Sequence, residues 1–235
     1  IERRLAEKLA IPVFHDDQHG TAIVVLAGLT NAARVVKKPF KDLRVVISGA
    51  GAAGVAVAKL LHAAGIHDLV VLDRAGAIHA ERKELVEAKV ELASFTNPRQ
   101  LTGELEHLLK DADAFVGVSG KGLLSEAHVR RMAPRAVVFA LANPDPEILP
   151  DEAKRAGAAV IATGRSDFPN QINNALVYPG IFRGALDKGV TKITLDMKLR
   201  AAKALAGLVK RPTAEKIIPD LLDKRVVKTV AKAVR

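Results

Sequence analysis

The longest patterned stretch of the chain is "HGTAIVVLAGLTNAARVV". Apolar residues recur in it at helical spacing, which predicts a helix over roughly 19–37. "KKPFKD" follows as a turn, and beyond it the pattern changes. "LRVVIS", "HDLVVLD", "AFVGV" at 114–118, "AVVFAL" at 136–141 and "AAVIAT" at 158–163 are short apolar runs of strand length. Helical stretches lie between them: "VAVAKLLHAAG" after the first, and others at roughly 103–110, 124–133 and 150–156. From about 170 the pattern is helical to the end. Strands alternating with helices predict an α/β fold, a doubly wound parallel sheet with flanking helices and a helical C-terminal region. The expected organisation is a helical lead-in over 1–38, a sheet domain over 39–190 and a helical extension over 191–235.

Between the first strand and its helix stands "GAGAAG", residues 49–54. Alone, a glycine-rich turn is common. With a strand before it, a helix after it and a second strand next, it is the fingerprint of a Rossmann-like dinucleotide site. Gly49 permits the tight turn, Gly51 lets the backbone approach a pyrophosphate, and Gly54 allows close helix–strand packing. Asp73 ends the second strand, 24 residues after Gly49, where a carboxylate can accept hydrogen bonds from the adenosine ribose and favour NAD, or is simply a solvated strand end. Arg74 and Lys83 point the other way, since a cation there can hold the 2′-phosphate of NADP. Asn143, at the carboxyl end of "AVVFAL", is placed to hydrogen-bond nicotinamide, or is simply an Asn-Pro turn with Pro144.

Two further clusters carry candidate chemistry. "HDDQHG" sets Asp16 and Asp17 before the long helix, either as caps for its first N–H groups or as carboxylates for a hard metal, Mg²⁺ or Mn²⁺. "PNQINNALVYPG" gathers Asn170, Gln171, Asn173 and Asn174, more neutral amides than a cap requires and suited to orienting a carboxylate or carbonyl substrate. Ser119, Lys121 and Ser125 read as loop and cap residues.

Composition narrows the partners. Aromatic residues make up 3%, which gives little support for base stacking, and 36 Lys and Arg against 26 Asp and Glu leave a net charge of +10. That charge is scattered except in the tail "KRVVKTVAKAVR", which a solvated helix face explains, so no nucleic-acid partner is expected. Without cysteine, disulfides and thiolate metal sites are excluded. No run of 18 apolar residues and no signal pattern occurs, so no membrane partner is expected and a cytoplasmic location fits. "IERRLAEKLAIP", starting at Ile1, reads as the latter part of a helix docked on something, as in a piece of a longer protein.

Five segments, "PVFHDDQHGTAIV", "VISGAGAAGVAVAKLL", "GVSGKGLL", "ALANPDPEI" and "RSDFPNQINNALVYPGIFRGAL", resemble in order and spacing the malic enzymes of the bacterial type. The resemblance spans residues 1 to about 210. "IIPDLLDKRVVKTVA" also resembles the family's ending, although "DLLDKR" stands where a Pro-Phe-Asp turn is more usual. It implies oxidative decarboxylation of malate to pyruvate and CO₂ with reduction of NAD or NADP, a divalent metal and, in the full-length protein, a homodimer. It implies further that Asp17 is a metal ligand and that Asp16 lies near the catalytic groups. Ala50, Ala52 and Ala53 then meet the phosphates with the glycines, Asn143 meets nicotinamide, and Asn173 and Asn174 meet the substrate. The family's other acidic ligands, a Glu-Asp pair, and its catalytic tyrosine and lysine belong to an N-terminal portion not in this chain. Tyr178 is no substitute. The chain alone is therefore expected to bind cofactor without turning over. The alternatives are a non-catalytic dinucleotide-binding module and another dehydrogenase acting on an amino acid or folate; "HDDQHGTA" argues against the latter.

Overall fold

The computed structural model describes residues 1–83 and 85–234, apart from the side chain of Arg3. Six strands form one sheet: β1 (Val45–Ser48), β2 (Leu69–Asp73), β3 (Gly76–Ala77), β4 (Ala114–Gly117), β5 (Val137–Ala140) and β6 (Val160–Thr163). Their order is β3-β2-β1-β4-β5-β6, parallel except at one edge. There β3 turns back antiparallel on β2, pairing Asp73 with Gly76, so the sheet is not wholly parallel as expected. Gly76 makes the turn possible, with φ at +95° and the Gly103 carbonyl 2.6 Å from where a Cβ would sit.

The strands bury both faces, and their side chains alternate between two cores. Val45 and Ile47 enter one, together with α2 (Thr21–Val36) and α3 (Ala52–Ala63). Val46 and Phe115 enter the other, with α5 (Leu105–Leu108), α6 (Glu126–Arg130) and α7 (Pro150–Arg155). The first core also takes α8 (Tyr178–Asp187), α9 (Leu195–Ala206) and α10 (Arg225–Ala233) and runs from Phe14 to Val234. Asn31, buried in α2, donates to the carbonyls of Ala206 and Ile217, both at 2.9 Å, and ties the C-terminal region to the centre.

Residues 16–36 are long and apolar enough to cross a membrane by length and composition, yet 72% of their most apolar 18-residue stretch is buried inside the protein as its central helix. Helix α4 (Glu87–Phe95) lies outside the expected pattern; it buries only Leu92, so its period is faint in the sequence. Helix α1 (Glu2–Lys8) forms where the sequence predicts it, with Leu5 and the flanking Ile1, Leu9 and Ile11 exposed.

Candidate functional site

Parallel strands direct their carboxyl ends to one edge, where the strand order reverses around β1. A cleft of about 240 Å³ opens there. It is lined by Ala53 at the start of α3, Ser119 beyond β4, Asn143 beyond β5, and Asp17, Asn173 and Asn174 from the helical side.

The three glycines of the turn separate cleanly by what a side chain would meet. A Cβ on Gly49, where φ is +118°, would lie 2.7 Å from the Val118 carbonyl oxygen, and one on Gly54 would lie 1.7 Å from the Gly49 carbonyl oxygen. Both are required by the fold itself. Gly51 has φ −81° and ψ −170°, extended backbone that any residue adopts, and nothing within 4 Å of its Cβ position. The fold does not need a glycine there. Gly51 also provides no side-chain cap for α3, so the first-turn N–H groups beside Ala52 and Ala53 meet the cleft with the positive end of the helix dipole.

Asp73 is not an open acceptor. Arg82 Nη2 reaches both its oxygens at 2.8 and 2.9 Å, Lys89 Nζ donates at 2.6 Å and the Ala75 N–H at 2.9 Å. Those bonds occupy the roughly four lone-pair positions of a carboxylate. Burial alone would push the Asp73 carboxyl up, but the Lys89 ammonium, the Ala75 N–H and the Arg82 guanidinium outweigh it and hold it below the usual range. Arg74 is exposed. The cations at this position are Arg82 and Lys89, which sequence reasoning did not single out because β3 and α4 carry them back to the strand end.

The two aspartates form a π-helical turn, Asp16–Gly20, that leads into α2. They are not its caps: among the described residues neither accepts a hydrogen bond from a backbone N–H of the helix. Asn174 Nδ2 donates instead, to Asp16 Oδ2 at 2.5 Å and to Asp17 Oδ1 at 3.5 Å. Asp16 Oδ1 is buried without a partner among the described residues, 2.1 Å from where a Cβ on Gly20 would sit, which explains that glycine. Burial raises the Asp16 carboxyl, the Asn174 bond opposes the rise, and the Asp17 charge adds to it. Asp17 is exposed on the cleft.

The amide cluster divides. Asn170 is framework: it donates to the carbonyls of Ile161 and Ala214 and accepts from the Ile217 N–H. Gln171 donates to the Gly164 carbonyl. Asn173 lines the cleft, and its oxygen accepts from the Ala175 N–H at 2.9 Å. Ser125 caps α6 as expected, whereas Ser119, read as a loop residue, lines the cleft and bonds Ser48 Oγ at 3.0 Å. Tyr178 lies 45% exposed against Phe182. A residue missed from the sequence is Glu147, fully buried under the cleft; a lone acid between Pro146 and Ile148, just past a strand, was the available sign.

The family model for the malic enzyme NAD-binding domain matches residues 18–235. The chain belongs to the malic enzymes. It corresponds to their NAD-binding domain. It is 51% identical to the bifunctional malic/malolactic enzyme of Bacillus subtilis and 48% identical to the NADP-dependent malic enzyme of Halomonas elongata. In both cases the match covers the whole chain but only 58% and 59% of the relative. The crystal structure of the NAD-dependent malic enzyme of Thermotoga maritima superposes with a TM-score of 0.95 at 45% identity, over 99% of this chain and 62% of that one. The chain thus spans between 58% and 62% of the length of these three malic enzymes.

Proposed function

We propose that this chain is the nucleotide-binding part of an enzyme that oxidatively decarboxylates malate to pyruvate and CO₂. The observation that carries the reading is Gly51, a glycine the fold does not require, beside the first turn of α3. The pyrophosphate of NAD fits against Gly49–Gly54, where Ala50, Ala52 and Ala53 present backbone and only a methyl. Asn143 at the far side of the cleft is available to the nicotinamide amide, and that ring, when bound, supplies the hydride acceptor. Asn173 uses its oxygen on Ala175, which leaves its NH₂ to donate to a malate carboxylate. Asn174 holds Asp16 and Asp17 side by side at the same edge.

The chain by itself does not fit Mg²⁺ or Mn²⁺. Such cations take several oxygen ligands, and no group of three His, Cys, Asp or Glu side chains converges among the described residues. Asp17 is at most one ligand of a set completed elsewhere. The expected consequence is a chain that binds cofactor and does not turn over alone.

NAD is the first choice of cofactor. NADP is the second reading, favoured by Arg82 and Lys89 beside Asp73, which neutralise the carboxylate and could hold a 2′-phosphate. Calorimetric titration with NAD⁺ and NADP⁺ tests both. The expected dissociation constant is micromolar, about −8 kcal/mol. Absence of binding by either dinucleotide would remove the reading.

A further inference from the structure

Beneath the cleft floor lies a carboxylate that no part of the reading above uses. Glu147 is 0% exposed. Its Oε1 accepts the Ser119 N–H at 3.1 Å and its Oε2 the Ala142 N–H at 3.0 Å. Ser119 lies in the loop beyond β4, and Ala142 precedes Asn143 in the loop beyond β5. Ser119 in turn bonds Ser48, the last residue of β1, through the two hydroxyls at 3.0 Å. One side chain therefore joins the carboxyl ends of two neighbouring strands, and through Ser119 it reaches a third. The backbone repeats the link, since the Leu124 N–H donates to the Glu147 carbonyl at 3.1 Å and the Gly122 N–H to that of Pro146 at 3.3 Å.

The strand has given up a side chain to admit this group. A Cβ on Gly117, at the end of β4, would stand 2.3 Å from the Glu147 carboxyl carbon. Burial is costly for a carboxylate, and replacing buried ionic groups by apolar ones of similar volume is often neutral or stabilising. Stability alone is therefore a poor reason for an acid here. Burial pushes the Glu147 carboxyl up, and the N–H groups of Ala142 and Ser119 pull it back only in part. What two anchored N–H groups do provide is a fixed distance between two loops, and both loops line the cleft.

We infer that Glu147 is a positioning residue for the nicotinamide half of the dinucleotide, holding the Ser119 and Asn143 loops in the geometry that half requires. The inference rests on the dinucleotide reading proposed above. It makes a distinction that a general structural role does not. The adenosine and pyrophosphate half meets β2, the glycine turn and α3; the Glu147 carboxylate touches none of them directly and comes nearest through the Ser119 hydroxyl on Ser48, the residue before Gly49. The nicotinamide half meets the loops that it does.

The test is titration of the whole chain and its Glu147→Gln and Glu147→Ala variants with NAD⁺ and, separately, with ADP, which carries only the adenosine and pyrophosphate part. Glutamine keeps one acceptor oxygen but turns an NH₂ toward the second N–H, so it loosens one loop while nearly preserving volume. If Glu147→Ala does not fold, Glu147→Gln carries the test, with thermal unfolding as the check. The expected result is a loss of NAD⁺ affinity of about tenfold or more in Glu147→Gln with ADP affinity within about twofold of the parent. Equal losses for the two ligands, or no loss for either, would overturn the positioning role while leaving the dinucleotide reading intact. A parent chain that binds neither ligand would overturn both.

Discussion

Arg82 grips Asp73 with one nitrogen against both carboxylate oxygens, at 2.8 and 2.9 Å, and Lys89 closes the pair at 2.6 Å. An acid that should receive ribose hydroxyls is thus already saturated by cations. Cofactor choice turns on this trio. Asp73→Ser removes the charge that repels a 2′-phosphate and releases Arg82 and Lys89 toward it. The ratio of NADP to NAD affinity should rise by roughly tenfold, about 1.4 kcal/mol. Arg82→Met should lower that ratio. An unchanged ratio in both variants would show that the cluster does not read the cofactor.

Lys198 gives a prediction in pH. Burial is the main cause that lowers its pKa from 10.5 to about 8, with Glu2 opposing the fall and Lys59 adding to it. Because the folded value is depressed, the unfolded chain holds the proton between about 8 and 10.5 while the folded chain does not. Stability from this group is complete above 10.5 and is lost as pH falls through about 8. Lys198→Met should therefore melt higher than the parent at pH 7, and the gap should close as pH rises toward 10.5. Melting temperatures of the two proteins across that range check it; a constant gap would contradict it.

Gly54 should be intolerant for reasons internal to the fold. A Cβ there lies 1.7 Å from the Gly49 carbonyl oxygen and 2.9 Å from its carbon, backbone atoms that cannot swing aside. Gly54→Ala should lower stability by roughly 2–3 kcal/mol or more, read as the urea midpoint of unfolding. A midpoint within error of the parent would show that the turn can shift.

Much of this was legible in the sequence. Strands that bury both faces announce themselves as unbroken runs such as "VVIS" and "LVVLD", and glycines at fixed spacing after such a run name their own jobs. What stayed hidden depends on the return path of the chain. Arg82 and Lys89 reach Asp73 only because β3 folds back and α4 packs alongside. Asn174 reaches Asp16 across 158 positions, and that contact rather than capping is what the HDDQHG turn makes. Asn170 and Asn174 look alike as residues, yet one pins backbone and the other meets the aspartates. Glu147 stands inside "ALANPDPEI", yet nothing in that segment says that it is buried; the fold reveals that.

The exposed carboxylate of Asp17 should make a poor metal site without further ligands. Mn²⁺ should bind the chain with a dissociation constant on the order of 1 mM or weaker, and malate should drive no NAD reduction. Asp17→Asn should leave the melting temperature near that of the parent, since the side chain is exposed and the hydrogen bond it accepts from Asn174 is 3.5 Å long. Malate-dependent formation of reduced cofactor by the 235-residue chain alone, followed by absorbance, would mean that it holds a complete catalytic set.

The empty space beside Gly51 is the most direct thing to measure. Its backbone accepts any residue and nothing lies within 4 Å of its Cβ position, so Gly51→Val should fold with the parent's melting temperature. Its side chain should nonetheless fill the place of the pyrophosphate. Titrated with NAD⁺ beside the parent, the folded variant should lose affinity by about a hundredfold or more, about 2.7 kcal/mol. A folded Gly51→Val that binds NAD⁺ as tightly as the parent would contradict the placement of the dinucleotide at this turn.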